Sequence, residues 1–103
     1  MDSQLSTQPI MTVVSAVVAP DREAELTDGF RVISGTSMPD GLLRTELLRG
    51  QQGTWRIQSL WRDRNALEAV RGSGQRPAAL ELFERVGADH SHGFFFVEQA
   101  YSA

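Results

Sequence analysis

The chain has 103 residues, 41% hydrophobic and 22% charged side chains and a net charge of -3, the composition of one globular domain. It contains no cysteine, which excludes disulfides, thiolate metal sites and a cysteine nucleophile. All ten basic residues are arginine, but none forms a basic block of the kind a nucleic-acid backbone requires, and no run of about 18 apolar residues marks a membrane span.

The opening "MDSQLSTQPI" lacks the basic start and apolar core of a signal peptide, so a cytoplasmic location and a flexible tail over residues 1–9 are expected, with one domain over 10–103. "IMTVVSAVVA" (10–19) is a β-branched apolar run ended by Pro20, which predicts a central strand. Asp21 is placed to cap a helix that carries Glu23 and Glu25 in its first turn and Leu26, Phe30 and Ile33 on one face. "GTSMPDG" (35–41) breaks that helix. "LLRTELLRG" (42–50) and "TWRIQSLWRD" (54–63) flank Gln51, Gln52 and Gly53, which predicts an antiparallel hairpin.

Asp63 is placed to cap a short helix, "RNALEAVR", that stops at Gly72. Pro77 stands where a second helical piece would begin, its stripe being Ala79, Leu82, Phe83 and Val86 and its terminator Gly87. "HGFFFVEQAY" (92–101) is aromatic and predicts a fourth strand. The order β-α-β-β-α-β predicts an α+β, ferredoxin-like fold, a four-stranded antiparallel sheet with its helices on one face.

Period two puts Trp55, Ile57, Ser59 and Trp61 on one face of the third strand and Arg56, Gln58, Leu60 and Arg62 on the other. The apolar set belongs under the helices. One helical layer leaves the opposite face open, and pairing with a second copy would close it into a dimeric α/β barrel with Arg44, Glu46, Arg56 and Arg62 at polar positions.

The segment "SLWRDRNALEAVRGS", a strand ending in Trp, a polar turn and an "ALEA" helix, resembles the antibiotic biosynthesis monooxygenase (ABM) family of the dimeric α/β-barrel superfamily, a likeness that extends over residues 11–101. The resemblance implies a homodimer and, in the branch that oxidises aromatic polyketides, a monooxygenase that works on anthrone- or quinol-like molecules without metal or flavin. It places Trp61 at the strand-end tryptophan that lines the pocket between sheet and helices. Ile57 stands where some of these enzymes have an asparagine, and Val70 where many relatives have a histidine. The heme-degrading branch uses a helical histidine and an asparagine on its first strand, and this chain has neither.

Cofactor-free oxygenation needs a dry site that favours the substrate anion. Arg76 would stabilise that anion electrostatically or is a solvated helix-end charge. Imidazole titrates near neutrality, so His90 and His92 are the candidate bases. Their spacing also permits metal binding, but no third ligand is near in sequence, and no metal is expected. The expected pocket wall comprises Phe30, Ile57, Ser59, Trp61, Phe83, Phe94 and Phe96, although the run 94–96 also suits plain core. Trp61 offers a stacking surface and an N–H donor, whereas Trp55, nearer the hairpin, is expected to fill core. "GSG" (72–74) is a helix break and no Gly-rich phosphate loop occurs, so no nicotinamide or flavin is expected. The alternative function on the same fold is a small-molecule binding or cyclisation-steering protein that performs no oxidation.

Overall fold

The computed structural model describes residues 8–36, 38–74 and 77–102. The expected N-terminal tail lies outside them except for Gln8 and Pro9, and the Pro9 carbonyl accepts a bond from the Val97 amide at 2.9 Å. The elements in order are β1 (Ile10–Val17), a 3-10 turn (Pro20–Arg22), α1 (Glu23–Ser34), β2 (Leu42–Arg49), β3 (Thr54–Trp61), α2 (Arg64–Gly72), α3 (Ala78–Arg85) and β4 (His90–Phe96). All strands are antiparallel in the order β2-β3-β1-β4, the ferredoxin-like arrangement.

Register assigns the faces. β1 and β3 align Ile10 with Trp61, Thr12 with Ser59, Val14 with Ile57 and Ala16 with Trp55. On the other side β1 aligns the same four residues with Phe96, Phe94, His92 and His90. Directly opposed residues share a face, so these rows lie under the helices. On β2 a bulge between Leu42 and Arg44 inserts one residue, which puts both Leu42 and Thr45 on the helix face although they are three apart. Leu43, the extra residue, is 57% exposed.

Two apolar clusters fill the space between the layers. One joins Val14, Ala16, Val18, Trp55 and Ile57 to Leu26 of α1 and to Leu82, Phe83 and Val86. The other, at the far end of the sheet, joins Ile10 and Trp61 to Ala66 and Leu67 of α2, with Phe96 packed against it.

Asp63 caps α2, its carboxylate accepting the Ala66 amide at 2.9 Å. Asp21 caps nothing: Pro20 starts a 3-10 turn that contains Asp21, and α1 begins after Arg22 without a side-chain cap. β4 also differs from its expected limits, starting at His90 and ending at Phe96. The reason is that β4 extends only as far as β1 offers partners, from Ala16 back to Ile10.

Gly41 lies where the chain entering β2 meets α2. Its φ is +88°, its carbonyl accepts the Arg62 amide at 2.7 Å, and an added Cβ would stand 2.3 Å from the Ala66 Cβ. Asp63→Ala is therefore expected to remove about 1 kcal/mol of stability, or about 4–8 °C in Tm for a domain of this size. Gly41→Ala should lower Tm further, because backbone strain and a clash coincide. Thermal unfolding of both variants by circular dichroism checks the order, and an unchanged Tm in Gly41→Ala would contradict the tight approach of this loop to α2.

Candidate functional site

A cavity of about 530 Å3 lies between the sheet and the helices, where the two apolar clusters fail to meet. Its floor consists of three cross-strand rows spaced about 7 Å apart, the rise of two residues along a strand. The first contains Ile57, Val14 and His92, the second Thr45, Ser59 and Thr12, and the third Leu42 and Trp61. Phe30 and Ile33 of α1, Leu67, Val70 and Arg71 of α2, and Ala79 and Leu82 of α3 enclose it from above, with Met38 and Pro39 at one side.

The middle row carries the polar chemistry. Thr45 Oγ1 and Ser59 Oγ lie 2.9 Å apart, and either can donate to the other. A mutual bond uses one of their two protons, so the pair retains one O–H for a ligand oxygen. Thr12 Oγ1 accepts the Trp61 Nε1–H at 3.1 Å and donates to the Ser59 carbonyl at 3.5 Å. The indole N–H of Trp61 is thus committed within the sheet, which corrects the expectation that it serves a ligand; the ring is what faces the cavity.

The expected site residues separate into groups. Phe30, Ile57, Ser59, Trp61 and His92 all line the cavity. Phe83 does not, because the α3 stripe turns it away into the core, where it is fully buried. Phe96 packs in the second cluster, against Ile10 and Trp61. Phe94 shares the helix face with them, yet stands on the edge strand and is 46% exposed, with the Arg71 guanidinium carbon 5.5 Å from its ring centroid. His90 lies outside the cavity and turns Nε2 to Glu84 Oε2 at 3.3 Å. The two imidazoles stand 6.4 Å apart, centroid to centroid, and His92 has no hydrogen-bond partner among the described residues. Arg76 and its expected role lie outside the described residues.

Among the described residues no three His, Asp or Glu side chains converge as a metal site, and no helix is long and apolar enough to cross a membrane. Arg71 and His92 are the only ionisable groups among the described residues that line the cavity, and no carboxylate does.

The model for antibiotic biosynthesis monooxygenases matches residues 9–84. The chain belongs to the ABM family. No curated protein matches this sequence. Among solved structures, SnoaB from Streptomyces nogalater, a cofactor-independent oxygenase, is 23% identical, with a TM-score of 0.65 over 90% of this chain and 96% of that one. Rv0793 from Mycobacterium tuberculosis is 21% identical, with a TM-score of 0.67 over 91% and 99%. A candidate antibiotic biosynthesis monooxygenase from Caulobacter crescentus is 16% identical, with a TM-score of 0.70 over 95% and 97%. At these identities the likeness shows a shared ABM fold.

Within that fold, sequence reasoning missed Thr12, Thr45 and Arg71. The signal for the first two was legible: a hydroxyl at a helix-facing position on each of three adjacent strands interrupts an otherwise apolar surface. Arg71 carried no such mark, because only the tertiary structure brings the end of α2 to the cavity.

The two tryptophans differ in their surroundings. Trp55 is 3% exposed, donates to Glu23 Oε2 at 3.0 Å and is covered by Arg49, whose guanidinium carbon lies 4.6 Å from the ring centroid. Trp55→Phe should therefore cost about 1–3 kcal/mol, since it removes a bond to a charged acceptor and part of a cation–π contact. Trp61→Phe loses one bond to a neutral hydroxyl, about 1 kcal/mol. Chemical unfolding of the two variants checks the ranking, and a larger loss in Trp61→Phe would reverse it.

Proposed function

We propose that this protein is a cofactor-independent monooxygenase that oxidises a polycyclic aromatic molecule of anthrone or quinol type. The observation that carries the reading is the cavity itself: about 530 Å3, apolar, with an indole wall and a hydroxyl row across its floor. Its volume falls in the range of small-molecule sites, and few convergent polar groups in an apolar pocket orient a flat ligand.

The chemistry is supplied largely by the substrate. His92 takes a proton from the ring carbon or phenol, giving an enolate or phenolate, and the hydroxyl pair of Thr45 and Ser59 donates its spare O–H to the developing anion. The anion passes one electron to dioxygen, and the resulting substrate radical and superoxide combine to form a C–O bond. The peroxide takes up the proton held by His92. For an anthrone, loss of the remaining proton from that carbon breaks the O–O bond, forms the ketone and releases water. One substrate methylene and one dioxygen thus become one carbonyl and one water, with no external reductant.

A second reading, a binding or cyclisation-steering protein, draws on Ile57. This residue is 3% exposed and apolar at the position where some family oxygenases have an asparagine. Oxygen uptake separates the two. The oxygenase reading expects one dioxygen consumed per anthrone without added reductant, and a loss of rate in His92→Ala that His90→Ala does not show. The double variant Thr45→Val, Ser59→Ala should lower kcat/KM about tenfold while remaining folded. Ligand binding without oxygen uptake in the parent protein would favour the steering role.

We also propose a homodimer joined through the open sheet faces. Phe95 is 60%, Val17 66% and Leu48 38% exposed there, and Met11, Val13 and Leu60 lie between them half-buried. Arg44 pairs with Glu46 and Arg56 donates to Ser15 at 3.2 Å, so that face already has internal partners for its charges. Light scattering at micromolar concentration should return twice the chain mass of 11.4 kDa, and Phe95→Asp should halve it. A parent protein that scatters as a single chain would remove this proposal.

A further inference from the structure

The cavity has a one-sided electrostatic lining in a protein that carries 13 acidic and 10 basic residues. No carboxylate among the described residues lines it, and Arg71 does. Most described arginines are neutralised: Arg22, Arg31, Arg44, Arg62, Arg64 and Arg85 each have a carboxylate oxygen within 4.0 Å. Arg71 has no such partner among the described residues. Glu68, the acid one turn earlier on α2, faces Arg64. The other two without a carboxylate, Arg49 and Arg56, cover Trp55 and bond Ser15, away from the cavity.

Arg71 is held by a ring instead. Its guanidinium carbon lies 5.5 Å from the Phe94 centroid, and Phe94 is 46% exposed on a face where the neighbouring rows are largely buried. A cation over a ring face is held by electrostatics without using its N–H donors as hydrogen bonds, and a guanidinium carries five of them in a fork that matches an oxyanion in bidentate fashion. A basic residue in the last turn of a helix has an ordinary role in meeting the helix dipole. That role explains neither the position over an exposed aromatic ring nor the exclusion of carboxylates from the cavity.

Phe94 belongs to the hydroxyl row, opposite Thr12, which is opposite Ser59. Two strand spacings separate Phe94 from Ser59, about 10 Å. Fused rings carrying a carboxyl group span such a distance, with a ring oxygen at the Thr45 and Ser59 hydroxyls and the acid at the Arg71 edge.

We infer that Arg71, positioned over Phe94, selects aromatic ligands that bear a carboxylate. The inference rests on the reading of the cavity as an aromatic-ligand site and adds to it the charge and placement of a substituent. Titration calorimetry with an anthraquinone carboxylate and the matching hydroxymethyl anthraquinone tests it. The parent protein should bind the acid about tenfold more tightly than the alcohol, the preference shrinking as salt is raised. Arg71→Met should abolish the preference, and Arg71→Lys should keep part of it, because charge remains while the flat fork is lost. Phe94→Leu should reduce the preference with the charge intact. Equal binding of acid and alcohol by the parent, or an undiminished preference in Arg71→Met, would overturn the inference and leave the aromatic site standing. Failure of both probes to bind would overturn the aromatic site and this inference with it.

Discussion

β1 is hydrogen-bonded on both sides, to β3 and to β4, and this double pairing determines which side chains can reach the helices. A slip of one residue in either register would turn Thr12 outward and Val13 inward. With the register as it stands, the hydroxyls of Thr12, Ser59 and Thr45 form one row, and the larger apolar side chains occupy the rows on each side. The bulge in β2 completes this pattern. It brings Leu42 beside Trp61 while keeping Thr45 opposite Ser59, which an unbroken strand could not do.

The cavity is a consequence of small residues facing small residues. Toward the hairpin, Trp55 and Phe83 are buried between the layers with Val18, Leu26 and Val86 around them. In the middle of the sheet the floor is Thr12, Ser59 and Thr45, and α3 presents Ala78 and Ala79 above it. Among the described residues α2 ends at Gly72 and α3 begins at Ala78, and each packs on a different cluster. Closing the gap would need bulkier side chains on α3 or an unbroken helix, and the sequence has neither.

This explains how much of the molecule was legible in its sequence. Strand and helix order followed from local signals: β-branched runs, the Gln51–Gly53 turn, the Asp63 cap and the helix-ending glycines. Residues whose placement depends on a partner were less legible. β4 ends where β1 ends, so its composition could not set its limits, and His90 and His92 are strand residues because Ala16 and Val14 pair with them. Asp21 has the chemistry of a cap but sits inside the turn that Pro20 imposes. Phe94 and Phe96 have the same parity and opposite surroundings, since one lies on an uncovered stretch of the edge strand and the other against the α2 cluster. Sequence period gives the face of a sheet; coverage of that face is a property of the tertiary structure.

The two tryptophans illustrate the same limit and give it a functional meaning. They share a strand, a face and an N–H donor, and differ in what accepts that donor. Trp55 reaches across the layers to Glu23 at the start of α1, so its bond ties helix to sheet, and Arg49 covers the remaining side. Trp61 bonds to Thr12 on the adjacent strand, so its bond stays within the sheet. A bond between layers requires the layers to be close, which suits filled core. A bond within the sheet fixes the indole without drawing a helix toward it, and the ring is left as a rigid wall. Holding Trp61 by its edge also orients the Thr12 hydroxyl, whose proton is then directed to the Ser59 carbonyl. The hydroxyl pair of Ser59 and Thr45 consequently keeps one uncommitted proton in the middle of the floor, between the indole wall on one side and the row ending in His92 on the other.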